Sequence, residues 1–258
     1  MSELDKADRQ RDQFLAMLAH ELSGPLAAVA YAAEAIRGPL STEDARNEAT
    51  KIVLEEVSFM RRLVNDLGEL FRVGRGNQAM PLESSDLADV VRRASAINRP
   101  LIERSGHTFE IILPSSAVRV QGNTDRLVQI VSNLLANAAR YTPERGHIRL
   151  SIAQDNGTAI LKVTDNGAGI SKDMLPHVFR PFTRQESARQ QYAGGMGIGL
   201  AIVQRLVKMH GGTVEAFSAG EGQGSEFVVR LPLSRVRAAP NSSSATCRDA
   251  IAGEPHPG

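Results

Sequence analysis

The sequence has one cysteine, Cys247, no tryptophan, and only 4% aromatic residues. A lone cysteine excludes an intrachain disulfide and leaves a Cys-based zinc site without its ligand set. Charge of either sign is not in excess: 30 Lys and Arg face 29 Asp and Glu, a formal net charge of +1. Such a chain has no bulk field with which to draw nucleic acid or an anionic membrane. Long apolar runs are missing too. The longest, Leu26 to Ala33, is far short of the roughly 20 residues that a spanning helix needs. Met1 to Asp12 is polar and of mixed charge, without the apolar region of a signal peptide. The expectation is a cytoplasmic protein without membrane insertion. What is present is a hydrophobic content of 42% in 258 residues, enough for one large domain or two modest ones.

The first 73 residues carry helical periodicity. Phe14, Leu18, Leu22, Leu26, Val29, Ala33 and Ile36 recur every three or four positions, and Gly38-Pro39 ends the pattern. Ser41 or Thr42 can cap a second helix, whose apolar face holds Met60, Leu63, Val64, Leu67, Leu70 and Phe71. Two amphipathic helices joined by a turn form a hairpin with one side of its seam wet. Pairing two hairpins into a four-helix bundle buries that side, so a homodimer is expected.

Val73 to Pro81, with Gly74, Gly76 and Asn77, reads as a flexible linker. Beyond it the pattern is mixed. Helices are predicted at Leu87 to Glu103, Asp125 to Tyr141 and Ile198 to His210. Strands are predicted at Phe109 to Leu113 and Val118 to Gln121. Two more, His147 to Gln154 and Ala159 to Thr164, join through Asp155-Asn156-Gly157, a strong hairpin signal. Thr213 to Phe217 and Glu226 to Leu231 form a closing hairpin. Ile170 to Gln191, with Pro176 and Pro181, reads as short helices and a loop, and Ser234 to Gly258 as a disordered tail.

Four groups of residues carry chemistry. His20 lies on the first helix beside Glu21, on a strip of Ala16, Met17, Gly24 and Ala27 that lets another backbone approach closely. Pro25 removes the helical hydrogen bond to the Glu21 carbonyl and favours a bend there. An imidazole, largely neutral above its unperturbed pKa of about 6.5, is a nucleophile, although a helical histidine on its own is more often a solvated surface residue. Asn133, Asn137 and Arg140 or Tyr141 share one helical face. Two amide oxygens there can hold a hard cation such as Mg²⁺ with phosphate oxygens, Arg140 can meet a phosphate and Tyr141 can cover a flat ring. The two asparagines can equally cap neighbouring backbone. Asp165-Asn166-Gly167-Ala168-Gly169 follows a strand; Asp165 offers an acceptor to an exocyclic amine such as that of adenine, while such a run is also an ordinary turn. Gly194-Gly195-Met196-Gly197-Ile198-Gly199-Leu200 leads into a helix and exposes amide donors to phosphate. Its spacing is neither Gly-x-Gly-x-x-Gly nor that of a P-loop.

Phe14 to Leu26 resembles the H-box of bacterial sensor histidine kinases, and the stretch from Asn133 to Leu200 resembles, in order, their N, G1, F (Phe179-Arg180-Pro181-Phe182) and G2 boxes. Gly224-Ser225-Glu226-Phe227 is similar to the small-hydroxyl segment near the end of their ATP-binding domain. The resemblance covers roughly residues 10 to 233 and implies an α+β chain: a helical hairpin forming a dimeric four-helix bundle, then a Bergerat-type α/β sandwich. It divides the chain into a dimerisation and phosphoacceptor hairpin (1–73), a linker (74–81), an ATP-binding domain (82–233) and a tail (234–258).

By this resemblance His20 is the phosphoacceptor and Glu21 assists proton transfer, although neighbouring helical side chains point about 100° apart. Asp165 would read adenine, and Asn137 would bind Mg²⁺ with Asn133 nearby. Arg140, Tyr141, Gly167, Gly169, Gly195, Gly197, Gly199, Leu200 and Ser225 complete the ATP site. The implied partners are a second copy and the receiver domain of a response regulator. The chain departs from the family at Gly24, where Asn or Thr usually orients the water that dephosphorylates the partner. Weak or absent phosphatase activity is therefore expected. No input domain is present in the sequence, so the chain is either an excised or separately encoded core or is driven by a separate sensor protein. Two other readings are a degenerate kinase acting as a receiver-binding scaffold and an ATPase of the same superfamily without histidine phosphorylation.

Overall fold

The computed structural model describes residues 3–38, 42–74, 81–183 and 197–234; the side chains of residues 3–17, 20, 21, 62, 63, 65–67 and 69–74 lie outside the description. Two long helices come first, α1 (Glu3–Arg37) and α2 (Glu43–Gly74). Of the two capping candidates, Thr42 is the one described, and its hydroxyl accepts from the Ala45 amide at 3.3 Å. α2 also opens with Glu43 and Asp44, whose charges complement the helix dipole. Small residues let the two helices approach, and Ala32 and Ala49 are both buried. Pro25 lies inside α1. Leu26, Ile52, Leu54, Val57 and Val64 remain exposed, the wet apolar side expected of a single hairpin.

α2 runs through Gly74, one residue into the segment expected to be linker, a shift of the size by which helix ends routinely vary. Most of that linker, 75–80, lies outside the described residues, as does 235–258. Ser234, expected in the tail, belongs to the fold: its amide donates to the Arg119 carbonyl at 2.7 Å and its hydroxyl accepts from Gln121 at 2.8 Å.

The remainder is a mixed sheet packed on three helices. β1 (Glu83–Asp86) pairs antiparallel with β3 (Arg119–Gly122) in a small two-stranded sheet. β1 was not expected from the sequence, because Glu-Ser-Ser-Asp has neither β-branched nor apolar residues. The main sheet has the order β2-β4-β5-β7-β6. Its strands are β2 (Thr108–Ile112), β4 (His147–Asp155), β5 (Thr158–Asp165), β6 (Thr213–Phe217) and β7 (Ser225–Pro232). β2 is parallel to β4 and the other pairs are antiparallel. Asn156 and Gly157 both take positive φ, 45° and 79°, the two-residue turn that closes β4 on β5.

α3 (Leu87–Arg104), α4 (Thr124–Tyr141) and α5 (Gly199–Met209) cover one face of the sheet. Asp86 caps α3 through the Ala88 amide, and Asn123 caps α4 through the Arg126 amide. Alternation along β5 sends Ala159, Leu161, Val163 and Asp165 to the buried side. There they join Leu134 and Leu135 of α4 and Val203, Leu206 and Val207 of α5 in the core. Leu18, Leu22 and Phe59 of the hairpin pack against this core, and Arg104 of α3 pairs with Glu55 of α2 at 3.4 Å. Both charges of that pair are well exposed, so its net worth is within about 1 kcal/mol.

Candidate nucleotide site

The site is built at one end of the sheet, where β5 stops. Alternation makes Asp165 the last inward-facing residue of β5, so a carboxylate stands where an apolar side chain would continue the core. Its relative exposure is 8%. Burial raises its pKa above the ordinary carboxylate range, opposed by hydrogen bonds from the Ser225 hydroxyl and the Gly167 and Ser225 amides. The Ser225 hydroxyl donates to Oδ2 at 2.6 Å and the Gly167 amide to Oδ1 at 2.9 Å. Each carboxylate oxygen keeps further acceptor capacity.

The turn after Asp165 cannot carry side chains at its glycines. A Cβ on Gly167 would collide with the Tyr141 carbonyl, and one on Gly169, whose φ is +66°, would collide with the Gly220 carbonyl. The Ala168 amide donates to the same Tyr141 carbonyl at 2.8 Å, fixing the turn to the C-terminal end of α4. Asn166 ties it to β4 by two bonds: its Oδ1 accepts from the His147 amide at 2.7 Å, and its amide donates to the His147 carbonyl at 3.2 Å.

α4 forms the floor. Leu134, Leu135, Ala138 and Ala139 are buried in the core, while Asn133, Asn137, Arg140 and Tyr141 are half-buried along the other side, as their spacing requires. Asn133 Nδ2 donates to the Gly199 carbonyl at 3.3 Å, so one asparagine does bond to backbone, at the first residue of α5. Asn137 makes no side-chain hydrogen bond to another described residue, which leaves its amide oxygen available. From Asn133 to Tyr141 the helix rises about 12 Å, and its two ends hold the start of α5 and the Asp165 turn.

α5 begins without a side-chain cap, so its first amides are not satisfied by one. The φ of Gly197, +68°, lies in the left-handed region that favours glycine, and its carbonyl accepts from the Phe182 amide at 3.0 Å. Gly199 has no such preference: a Cβ there would find only Asn133 Cγ, at 4.0 Å. Its missing side chain opens space between an uncapped helix start and the asparagine face. Leu200 follows, half-buried against the core. These features fit a polyphosphate with a hard cation: free amide donors, an uncommitted amide oxygen and a favourable dipole. Gly195 and its neighbours Gly194 and Met196 lie outside the described residues.

His20 and Glu21 are in the body of α1, and their side chains lie outside the description. Leu18 and Leu22 on either side of them reach the core of the sheet domain, so this stretch of α1 is apposed to it. Gly24 has open space where a Cβ would stand.

Two contributors to the site were not found from sequence. The sequence places Asn166 only in a turn, although asparagine after a strand and before Gly is a backbone-bonding position by its chemistry. Ser218 hydrogen-bonds the Ile170 amide at 3.0 Å from 48 residues away, and nothing local to it announces this.

A mixed sheet backed by helices, with a buried strand-end carboxylate among glycine turns and an uncapped glycine-led helix, defines an ATPase-type α/β fold. Residues 122–235 match the family of histidine kinase-, DNA gyrase B- and HSP90-like ATPases, and residues 10–76 match the His Kinase A phospho-acceptor domain. The signal transduction histidine-protein kinase BaeS of Escherichia coli (strain K12) is 34% identical over 234 residues, 91% of this chain and 49% of that kinase. The mycobacterial sensor histidine kinase MprB superposes with a TM-score of 0.51 at 31% identity, over 59% of this chain and 97% of that one. Histidine kinase ThkA, solved in complex with response regulator protein TrrA, superposes with a TM-score of 0.66 over 90% of this chain and 67% of that one. Its 19% identity shows the fold alone. The chain belongs to the sensor histidine kinases and carries their catalytic core. It spans about half the length of the curated relative BaeS.

Proposed function

We propose that this chain binds ATP at the Asp165 site, phosphorylates itself on His20 and passes the phosphoryl group to an aspartate on a response-regulator receiver domain. The observation that carries this reading is the buried Asp165 carboxylate, held by Ser225 and the Gly167 amide beside an asparagine-lined helix and an uncapped helix start. Asp165 would accept from the adenine amine, with Tyr141 and the Gly167 and Gly169 turn bordering the base, while Arg140 would meet a phosphate. The amides at Gly195, Gly197, Gly199 and Leu200 would face the phosphates. Asn137, with Asn133 beside it, would hold Mg²⁺, which when bound neutralises phosphate charge.

Catalysis then rests on positioning. An imidazole nitrogen of His20 attacks the γ-phosphorus in line, the bond to the β-phosphate oxygen breaks, and ADP leaves. Glu21 serves as acceptor of the imidazole proton. The domain division follows the same reading, with residues 1–73 as phosphoacceptor hairpin, 82–233 as ATP-binding domain and the segment between as the hinge. The exposed apolar residues Leu26, Ile52, Val57 and Val64 support a homodimer closed through the hairpin. A cytoplasmic location suits the reaction, since ATP and receiver domains are found there.

Incubation with γ-labelled ATP tests the proposal. The expected product is a label that is lost in acid, survives alkali and is absent from a His20→Gln variant. Label incorporation by His20→Gln at the wild-type rate would overturn it, and release of phosphate to water without any labelled protein would favour a plain ATPase.

A further inference from the structure

The loop joining β6 to β7, Ser218-Ala-Gly220-Glu-Gly222-Gln-Gly224, lies against the turn that follows Asp165. Its glycines are there for conformation and closeness. Gly220, Gly222 and Gly224 all take positive φ, and a Cβ on Gly224 would collide with the Asp165 carbonyl. Two backbone bonds join loop to turn: Gly222 amide to Ala168 carbonyl at 2.6 Å, and Gly224 amide to Gly167 carbonyl at 3.1 Å. The Ile170 amide has a different partner, the Ser218 hydroxyl at 3.0 Å.

Ser218 Oγ is the centre of a small network. It accepts from the Ile170 amide and, at 3.3 Å, from the Gly220 amide, which fills both lone pairs of a hydroxyl. It has one proton to give, and the Gly224 carbonyl at 2.7 Å is a closer acceptor than the Gly220 carbonyl at 3.2 Å. The Gly224 carbonyl belongs to the peptide that leads into Ser225, and the Ser225 hydroxyl holds Asp165 Oδ2 at 2.6 Å. One side chain therefore touches both supports of the Asp165 carboxylate: the end of its turn at Ile170, and the peptide that aims Ser225.

We propose that Ser218 is a positioning residue for base recognition, fixing the Asp165 turn and the Ser225 hydroxyl in register with each other. The inference rests on the reading of Asp165 as the group that meets adenine. A hydroxyl that only stabilised the β6–β7 loop would affect all nucleotides alike. One that positions Asp165 affects the base portion of the ligand, because the phosphate end is built from α4 and α5.

The test is titration calorimetry of the full chain with Mg²⁺–ATP and Mg²⁺–GTP, comparing wild type with Ser218→Ala and Ser218→Cys, with the thermal midpoint of each protein recorded. The expected result is a loss of ATP affinity on the order of tenfold in Ser218→Ala, the worth of about one net hydrogen bond, with a smaller change for GTP. The ATP-to-GTP preference therefore falls. Should Ser218→Ala fail to fold, Ser218→Cys keeps the shape with a weak donor and acceptor and is expected to lower the same preference. Equal losses for both nucleotides, or an unchanged preference in both variants, overturn the assignment. A wild-type chain that binds ATP no better than GTP overturns the reading of Asp165 itself, a different outcome from a selective wild type with indifferent variants.

Discussion

Ser225 and Asp165 stand opposite each other in the register of β5 and β7 and share a hydrogen bond of 2.6 Å from hydroxyl to carboxylate. The pair sits at the end of the strands and on the buried side of the sheet, so the carboxylate is both desolvated and held.

That placement costs stability. Burial raises the folded-state pKa of Asp165 above its ordinary value, so between the two values the folded chain holds a proton that the unfolded chain has released. As pH rises through this window the contribution of Asp165 to stability declines, because the carboxylate must then ionise in its buried site. Asp165→Asn removes the charge, keeps an acceptor for the Gly167 amide and leaves the Ser225 hydroxyl free to turn. The expected outcome is an unfolding midpoint equal to or above that of wild type without nucleotide, and ATP affinity lower by roughly ten- to hundredfold, as for loss of a bond to a charged group. Chemical denaturation with a parallel ATP titration checks both, and a midpoint that falls by several degrees contradicts the electrostatic account.

Glycine geometry yields a second prediction from a matched pair. Gly157 and Gly169 have similar φ, 79° and 66°, but a Cβ on Gly157 meets nothing within 4 Å while one on Gly169 meets the Gly220 carbonyl. Gly157→Ala carries only the left-handed penalty, about 1 kcal/mol. Gly169→Ala adds a displacement of the β6–β7 loop and is expected to cost at least about 2 kcal/mol, and to weaken ATP binding besides. Urea unfolding of the two variants distinguishes them. Equal costs would show that the loop yields freely.

Much of this site was legible because its residues work locally. The face of Asn133, Asn137, Arg140 and Tyr141 follows from helical spacing, and Gly157 and Gly169 from turn chemistry. The hairpin from β4 to β5 was visible for the same reason. β1 was not, since Glu83 to Asp86 form a strand only through pairing with β3, more than 30 residues on. Ser218 was missed on the same ground: a hydroxyl that bonds the amide of Ile170 across 48 residues leaves no periodicity to read. Asp165 lay between these cases. Its carboxylate broke the alternation of β5 in plain view, but only the fold shows Ser225 directly across from it.

Gly24 yields the third prediction. It is exposed, and a Cβ added there meets nothing within 4 Å, so a side chain fits without repacking. Replacing glycine inside a helix also removes part of its intrinsic penalty of up to about 1 kcal/mol. Gly24→Asn is therefore expected to fold and autophosphorylate as wild type does. It is also expected to hydrolyse the phosphoaspartate of a cognate receiver several-fold faster, by restoring a side chain that can orient water. Loss of label from the purified phosphorylated receiver measures this. Rapid dephosphorylation by wild type, unchanged in the variant, contradicts the role assigned to the missing side chain.

The fourth prediction concerns His210, which ends α5 and is buried. Its Nδ1 lies 2.7 Å from the Leu206 carbonyl and its Nε2 accepts from the Asn123 amide at 3.1 Å, so the ring is neutral with its proton on Nδ1. Desolvation lowers its pKa, with the Leu206 bond opposing. Protonation would place a second proton on Nε2 against an amide hydrogen and break the link to Asn123, which caps α4. The two helices bordering the nucleotide site are thus joined behind it through an imidazole that must stay neutral. Because the folded value lies below the unfolded one of about 6.5, the unfolded chain binds the proton first as pH falls. The contribution of His210 is complete above that value and is lost as pH drops towards the lowered folded value, at up to about 1.4 kcal/mol per pH unit. Urea unfolding at pH 7.5 and 5.5 is expected to show a smaller loss in His210→Gln than in wild type. Histidines common to both proteins cancel in that comparison, so identical losses would mean that the Asn123 bond survives protonation.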